Sequence, residues 1–208
     1  MADQRIFRLI AQKTIGVLKP MLDDIDVQMV NRKGWTVFHA AVHARSRPIL
    51  SMFLQHNKKQ CEKKRCDINA RDDSGHTPFD RAVIRNFSQG ISLLIREGAS
   101  VWHRHRVTGN TPLHVAVSHG HEKIIQKLLC MEDTKDNIDI QNEHGYTAIH
   151  VAVFNGNYEC YTLLQNAGAN MTLLANDRNF LAHIVARIND NCFIKELLDL
   201  QPDFDLLE

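Results

Sequence analysis

The chain has 208 residues, 44% of them apolar and 24% charged, a balance that fits a folded globular protein and excludes a disordered or fibrous one. No stretch approaches the roughly 18 apolar residues of a membrane span, and MADQRIFRLIAQK (1–13) carries charges where a secretory leader needs an apolar run. Membrane insertion is therefore not expected, and the location expected is intracellular, in cytoplasm or nucleus. The five cysteines, Cys61, Cys66, Cys130, Cys160 and Cys192, are odd in number and irregularly spaced, which favours free thiols over a disulfide framework. The net charge of +1 hides a separation: residues 1–106 hold 19 Lys and Arg against 10 Asp and Glu, whereas residues 107–208 hold 6 against 14. Such a bipolar field steers and orients charged partners without bearing on the fold.

In chain order, residues 6–11 and 15–22 look like a degenerate helix pair that would cap the N-terminus. A segment then recurs: GWTVFHAA (34–41), GHTPFDRA (75–82), GNTPLHVA (109–116), GYTAIHVA (145–152) and, more weakly, RNFLAHIV (178–185). The starts lie 41, 34, 36 and 33 residues apart. Each copy precedes a second apolar pattern with the i, i+3, i+4 spacing of a helix with one buried stripe. The patterns are Ile49, Leu50, Phe53, Leu54; Ile91, Leu94, Ile95; Ile124, Ile125, Leu128, Leu129; Leu163, Leu164; and Phe193, Ile194, Leu197, Leu198. Gly98 and Gly168 suit the left-handed residue that ends a helix. Thr77 and Thr111, each followed by proline, suit a helix N-terminus, where the hydroxyl accepts a backbone N–H and proline sacrifices no hydrogen bond.

Period, motif and helix pattern together resemble the ankyrin-repeat family, most closely in GNTPLHVAVSHGHEKIIQKLL (109–129). The resemblance implies an all-α solenoid of helix-turn-helix units joined by β-hairpin loops, with about five to six repeats in one domain over 1–208. The segments expected are a capping repeat at 1–30, a repeat with a basic insertion at 31–66, a repeat at 67–100, one with an acidic insertion at 101–138, one at 139–170 and a divergent terminal repeat at 171–208. It also implies that His39, His114, His150 and His183 hydrogen-bond between neighbouring hairpins. Ala41, Ala82, Ala116 and Ala152 keep the inner helix thin enough to stack, and a single repeat cannot bury its own apolar face. The copies depart from the motif at Val37 (no TP pair), at Asp80 in the histidine position, and at Arg178 and Ala182 in the last copy. Those edges are expected to be less stable.

Two insertions lengthen the period. HNKKQCEKKRC (56–66) brings Lys58, Lys59, Lys63, Lys64 and Arg65, read first as a solvated loop, with an acidic-protein contact or a nuclear-import signal as the sharper readings. CMEDTKDNID (130–139) is its acidic counterpart, expected to be exposed. Cys61 and Cys66 lack a second pair for zinc. His103, His105, His119 and His121 read as surface histidines, so neither metal nor cofactor is expected. WHRHR (102–106) resembles a nucleic-acid patch, but the acidic second half would repel phosphate, so nucleic acid is not the expected partner. DSGHT (73–77) resembles the phosphodegron of NF-κB inhibitors, yet Gly75 and Thr77 already have structural duties.

Nucleophilic catalysis needs a nucleophile, base and orienting group in one pocket. Here the histidines recur with the repeat and the cysteines are scattered, so the chain is expected not to be an enzyme. Family resemblance implies that a partner protein lies in a concave groove formed by hairpin tips and inner helices. By motif position the groove takes Arg32, Lys33, Trp35, His43, Asp73, His76, Ile84, Arg85, Asn110, Ser118, His119, Glu143, His144, Tyr146, Phe154, Asn155 and Arg187. Among these Trp35, Tyr146 and Phe154 are the candidate anchors, since interface hot spots are enriched in Trp and Tyr; packing against a neighbouring repeat is the competing role. The charge separation places a partner's acidic part against 1–106 and its basic part against 107–208. Three functions stay open. The first is a scaffold or adaptor. The second is a regulator similar to the NF-κB inhibitors, suggested by the extra residue in HRVTGNTPLH, or a viral or bacterial effector. The third is the docking region of a larger enzyme, suggested by the uncapped end QPDFDLLE.

Overall fold

The computed structural model describes residues 2–176 together with Val185 and Lys195. The weak fifth copy, with His183 and Arg187, the final apolar pattern and Cys192 lie outside the described residues. The chain divides into two compact units, Met1–Val101 and Trp102–Glu208.

In the first unit, α1 (Ala2–Ala11) and α2 (Ile15–Leu18) precede the inner helix α3 (Val37–His43), the outer helix α4 (Arg47–Lys59), and the pair α5 (Pro78–Ile84) and α6 (Ser88–Arg96). Helix α3 packs on α1, α4 and α5, and α4 packs on α6. In the second unit, α7 (Pro112–Ser118) and α8 (Glu122–Leu129) are followed by a short α9 (Thr134–Asn137), and then by α10 (Ala148–Phe154) and α11 (Tyr158–Asn166). Here α7 packs on α8 and α10, and α11 on α8 and α10.

Each inner helix has only seven residues, well below the length of about 12 to 15 at which isolated helices become marginal in water. Caps and packing must therefore hold it. The cap is a reciprocal pair between the motif threonine and the residue three positions on. The backbone N–H of Thr36 donates to Nδ1 of His39 at 3.2 Å, that of Thr111 to His114 at 3.2 Å, and that of Thr147 to His150 at 3.3 Å. An accepting Nδ1 leaves the proton on Nε2, which donates onward: His39 to the carbonyl of His76 (3.0 Å), His114 to that of Tyr146 (2.9 Å), His150 to that of Leu173 (3.1 Å). Each ring thus caps its own helix and ties it to the next repeat. Where histidine is replaced, the Asp80 carboxylate accepts from the Thr77 N–H at 2.9 Å and from its hydroxyl at 3.1 Å, preserving the cap. Ala41, Ala82, Ala116 and Ala152 are fully buried, as thin inner helices require.

The turn from inner to outer helix repeats with a left-handed residue at Arg45, Asn86, Gly120 and Gly156, and also at Lys13 between α1 and α2. The next N–H reaches back five residues in every case, Thr14 to Leu9, Ser46 to Ala41, Phe87 to Ala82, His121 to Ala116 and Asn157 to Ala152, the closure that pairs with such a residue at helix ends. Gly98 and Gly168, after the outer helices, take positive φ as the sequence implies.

Three expectations are revised. The tips contain no strand among the described residues. Each turn is closed by two bonds of its own, such as Asn31 N–H to Trp35 O (3.0 Å) with Gly34 N–H to Asn31 O (3.0 Å), or Asp72 N–H to His76 O (2.9 Å) with Gly75 N–H to Asp72 O (2.8 Å). The tip groups turn instead toward the neighbouring repeat: Asp73 N–H donates to Lys33 O at 3.2 Å, Glu143 N–H to Thr108 O at 3.1 Å, and Asn176 N–H to His144 O at 3.1 Å. The basic insertion is partly helical, because α4 runs on to Lys59 and buries His56. The acidic insertion is not wholly exposed. Thr134 and Ile138 are buried, with the Thr134 hydroxyl donating to the carbonyls of Leu128 and Met131.

Burial pushes the His114 imidazole down to about 4, with its bond to Tyr146 only partly offsetting the effect. Below a pH of about 6.5 the unfolded chain takes up a proton that the folded ring refuses, so stability falls as pH drops from about 6.5 to about 4, by about 3 kcal/mol for this residue. Urea unfolding of the wild type should show this loss. His114→Ala should be less stable at pH 7 by about 1–3 kcal/mol, because the Tyr146 carbonyl loses a donor and the Thr111 N–H its acceptor, and should show a flatter acid limb.

Gly145 sits at φ +77° with an added Cβ only 2.5 Å from the Asn176 backbone nitrogen, whereas Gly98 at φ +84° has open space. Gly98→Ala should therefore cost about 1 kcal/mol from backbone strain alone, and Gly145→Ala clearly more. Thermal unfolding of the two variants separates the strain from the clash.

Candidate functional site

Of the expected groove residues in the first unit, Lys33 and His43 lie against the Trp35 ring. The turn at 31–35 is set by the Asn31 carboxamide, which accepts from the Lys33 and Trp35 N–H groups at 2.9 and 3.1 Å. This fixes the indole half-buried at the edge of α3. Its ring lies 4.6 Å from that of His43, at the far end of the same helix, with Lys33 Nζ 5.1 Å and Arg81 Cζ 5.6 Å from its centroid. Both cations lie within the roughly 6 Å at which a ring's quadrupole attracts them. Arg85 donates to the His43 carbonyl at 3.3 Å. Burial, followed by the charges of Arg85, Lys33 and Arg81, holds the His43 imidazole below its ordinary value, so at neutral pH it is an uncharged face.

Beside the indole lies a cleft of about 200 Å³ lined by Phe7, Ala11, Asn31, Lys33, Trp35, Ala40, His43 and Ala44. None of these carries a carboxylate. A larger polar cleft of about 450 Å³ lies between 23–28 and the basic loop, but Asp23, Asp24 and Asp26 dominate its lining and no aromatic ring faces it. The Trp35 cleft joins an aromatic ring to apolar and cationic lining, whereas no aromatic residue lines the larger one. Of the remaining expected residues in this unit, Arg32, Asp73 and Arg85 are exposed and His76 and Ile84 half-buried.

Three contributors are not evident from the repeat motif. Phe7 and Ala11 come from the helix expected only to cap the N-terminus. Arg81 occupies the motif position held by Ala40, Val115 and Val151 in the other copies, and that one charge at an otherwise apolar position was the available signal. Its guanidinium donates to Asp72 Oδ2, at 2.8 Å from Nε and 2.5 Å from Nη2. The Asp72 side chain is fully buried. Its other oxygen accepts from the Ser74 and His76 N–H groups, at 2.9 and 3.0 Å. Burial pushes the Asp72 carboxyl up, but Arg81 and the His76 N–H outweigh it and hold it below the ordinary carboxylate range.

In the second unit Tyr146 is half-buried, its ring 6.3 Å from His144 and 6.0 Å from His150. Asn110 accepts from the Asn142 carboxamide at 2.8 Å. Ser118 and His119 are exposed at the end of α7, where the Ser118 hydroxyl donates to the Val115 carbonyl at 2.9 Å. Glu143, exposed like His144, sits 3.4 Å from Arg104. Phe154 is 55% exposed and Asn155 is exposed beside it. His105 heads the third tip, where its Nδ1 accepts from Thr108 N–H at 3.3 Å and the closing bond from Gly109 spans four residues rather than three, accommodating the extra residue of HRVTGN.

Among the described residues no cluster of three or more His, Cys, Asp or Glu could hold a metal ion, and no helix is long and apolar enough to cross a membrane. A family model described as ankyrin repeats (3 copies) matches residues 7–105 and 93–175. The chain belongs to the ankyrin-repeat family. Over 141 residues, 67% of its length, it is 32% identical to the nuclear factor NF-kappa-B p105 subunit of Gallus gallus. Over 143 residues it is 32% identical to alpha-latrotoxin-Lg1a of Latrodectus geometricus. The matches span only 14% and 10% of those relatives' own lengths. Among solved structures, the ankyrin repeat domain of Bcl-3, described as a unique member of the IkappaB protein family, superposes with a TM-score of 0.77 at 22% identity over 86% of this chain and 76% of that one. The human ASB11 ankyrin repeat domain does so with a TM-score of 0.77 at 21% identity over 98% and 85%. These likenesses establish the all-α ankyrin fold, whose repeats serve as protein-interaction modules.

Removing Arg81 leaves a buried carboxylate without its counter-ion. Arg81→Ala should lower stability at pH 7 by about 3 kcal/mol and raise the Asp72 pKa. The stability that Asp72 contributes is present above its unfolded pKa of about 4 and lost as pH falls through the lower folded value, so the variant's acid limb should lose that component. Asp72→Asn in the Arg81→Ala background should recover part of the loss, as read by chemical denaturation, and NMR titration of Asp72 in the Arg81→Ala single variant reads its raised pKa.

Proposed function

We propose that this chain is a protein-interaction module whose first unit receives an acidic, apolar-anchored segment of a partner protein over Trp35, while the second unit faces the partner's basic part. The observation that carries this reading is the half-exposed indole held between Lys33, His43 and Arg81 above a cleft with no carboxylate in its lining. Charge supports it. The first unit holds 17 Lys and Arg against 10 Asp and Glu, and the second 8 against 14. An apolar side chain entering the cleft would be desolvated against Phe7, Ala40 and Trp35, and flanking carboxylates would meet Lys33 and Arg85. Rim charges of this kind act mainly on association rate and orientation, and the buried anchor on residence time. Tyr146 and Phe154 offer the second unit comparable anchors, with Asn110, Ser118, His119, Glu143, His144 and Asn155 around them.

A narrower reading, a regulator of Rel-type transcription factors, is favoured by the likeness to p105 and to the Bcl-3 domain and by the extra residue at the third tip. It would place the chain at work in cytoplasm or nucleus.

Affinity purification followed by binding measurements on the captured partner tests both. Trp35→Ala should weaken binding at least tenfold with the fold retained by circular dichroism. Lys33→Glu, at an exposed position that leaves the indole in place, should weaken it with a steeper effect at low salt. Unchanged affinity in both variants would remove this face as the site. Failure of purified Rel-type dimers to bind would remove only the narrower reading.

A further inference from the structure

The two insertions lie at the ends of outer helices, the first overlapping the last turn of α4 and the second following α8, and they carry opposite charge: 56–66 holds Lys58, Lys59, Lys63, Lys64 and Arg65 against Glu62, and 130–139 holds Glu132, Asp133, Asp136 and Asp139 against Lys135. A surface charge run is ordinarily a solvated, mobile loop, and isolated surface ion pairs contribute little because long side chains and backbone must be ordered to form them. Neither segment is built that way here.

The basic loop is tied down along its length. Asn57 and Cys66 exchange two hydrogen bonds, Nδ2 to the Cys66 carbonyl at 3.0 Å and the Cys66 N–H to Oδ1 at 2.8 Å. Arg65 spends its guanidinium on the loop itself, donating to the carbonyls of Gln60 (3.0 Å) and Lys58 (3.1 Å). From the preceding turn, Gln28 donates to the carbonyls of Lys63 (2.9 Å) and Arg65 (3.0 Å). Lys58 is neutralised by Glu97 at 2.7 Å. Lys59, Lys63 and Lys64 are left exposed on a fixed backbone, with Glu62 among them and Lys64 at the cleft that Asp23, Asp24 and Asp26 line.

The acidic loop is fixed by different means. The Thr134 hydroxyl anchors it to the end of α8, Asn137 donates to the Asp133 carbonyl at 2.7 Å, and Ile138 is buried. Glu132, Asp133 and Asp136 are left exposed. Each copy of the chain therefore presents an excess of cations on one preorganised platform, three lysines against Glu62, and of anions on the other, three carboxylates against Lys135, so most of the ordering cost of pairing them is met within the monomer.

We propose that the platforms are complementary faces of a self-association contact, in which the 59–64 lysines of one copy meet the 132–136 carboxylates of a second. A reciprocal pair closes as a dimer, whereas a one-way contact propagates head to tail. The contact is electrostatic and so belongs to low ionic strength. It should be strong where the Debye length is about 30 Å, in about 0.01 M salt, and lost near 1 M, where it is about 3 Å. It involves neither Trp35 nor the residues around it, and it is tested without any other protein.

Sedimentation velocity on the full chain is the test. In low salt the weight-average mass should climb with concentration to at least twice the monomer value, returning to monomer in high salt. The triple reversal K59E/K63E/K64E should be monomeric in low salt, as should E132K/D133K/D136K. Mixing the two reversed chains should restore the complex, because one now carries two acidic platforms and the other two basic ones. Combining both reversals in one chain should restore self-association. A wild-type chain that stays monomeric at every salt concentration overturns the proposal, and so does a mixture that stays monomeric while both variants remain folded by circular dichroism. A salt effect independent of protein concentration, as pairing within one chain would give, also overturns it.

Discussion

A buried imidazole that accepts at Nδ1 and donates at Nε2 does two structural jobs in one side chain, and the rest of each unit is arranged around it. The accepting nitrogen takes a backbone N–H that a seven-residue helix would otherwise leave without a partner at its start, and the donating nitrogen reaches a carbonyl of the next repeat. Local order and stacking are thereby coupled, since a ring that loses either partner leaves a buried polar group on the other side. The neutral state of the ring is part of the device, because a proton on Nδ1 would turn the acceptor into a second donor facing an N–H. Full burial of the motif alanines follows from the same geometry, as a larger side chain there would hold the neighbouring helix too far away for the contact to close.

Short-range rules make much of this legible in the sequence itself. The threonine caps, the proline in the first turn, the glycines of the tips and the inner and outer helix periodicity act within a few residues of themselves, so their spacing along the chain reports them directly. The rest depends on contacts that spacing does not encode. Asp72 and Arg81 are nine residues apart across a turn and a cap, and only their pairing explains a cation at a position that is apolar elsewhere. Phe7 reaches the Trp35 cleft from a helix whose motif is too worn to assign a register. The tips are expected to be β-hairpin loops, and among the described residues they form no strand, because each closes through two bonds of its own and meets the neighbouring repeat through another. The insertions read as plain loops because length and charge alone carry no sign of Asn57, Gln28 or Thr134 holding the backbone in place.

Charge shows the same division between composition and geometry. The opposite signs of the two halves are a matter of counting, but several of the charges are already committed. Arg81 pairs with Asp72, Lys58 and Arg96 share Glu97, and Arg104 meets Glu143. The ions that remain shape the field felt by a partner. In the first unit these include Lys33 and Arg85 beside the indole and the lysines of the basic loop, together with the exposed Arg32, Arg45 and Arg47.

The same latch explains why the position before each motif threonine can differ so much from copy to copy. Trp35, His76, Asn110 and Tyr146 share no chemistry, yet their carbonyls are held alike by the N–H of the residue that opens the tip. His76 and Tyr146 are held a second time by the imidazole of the preceding repeat. A backbone pinned from both sides leaves the side chain little structural work beyond occupying the rim. Substitution there alters the rim at small cost to the stack, whereas substitution at His114 or Ala116 changes the stack itself. The positions whose carbonyls the tip holds are therefore the ones at which the side chain is free to vary from copy to copy.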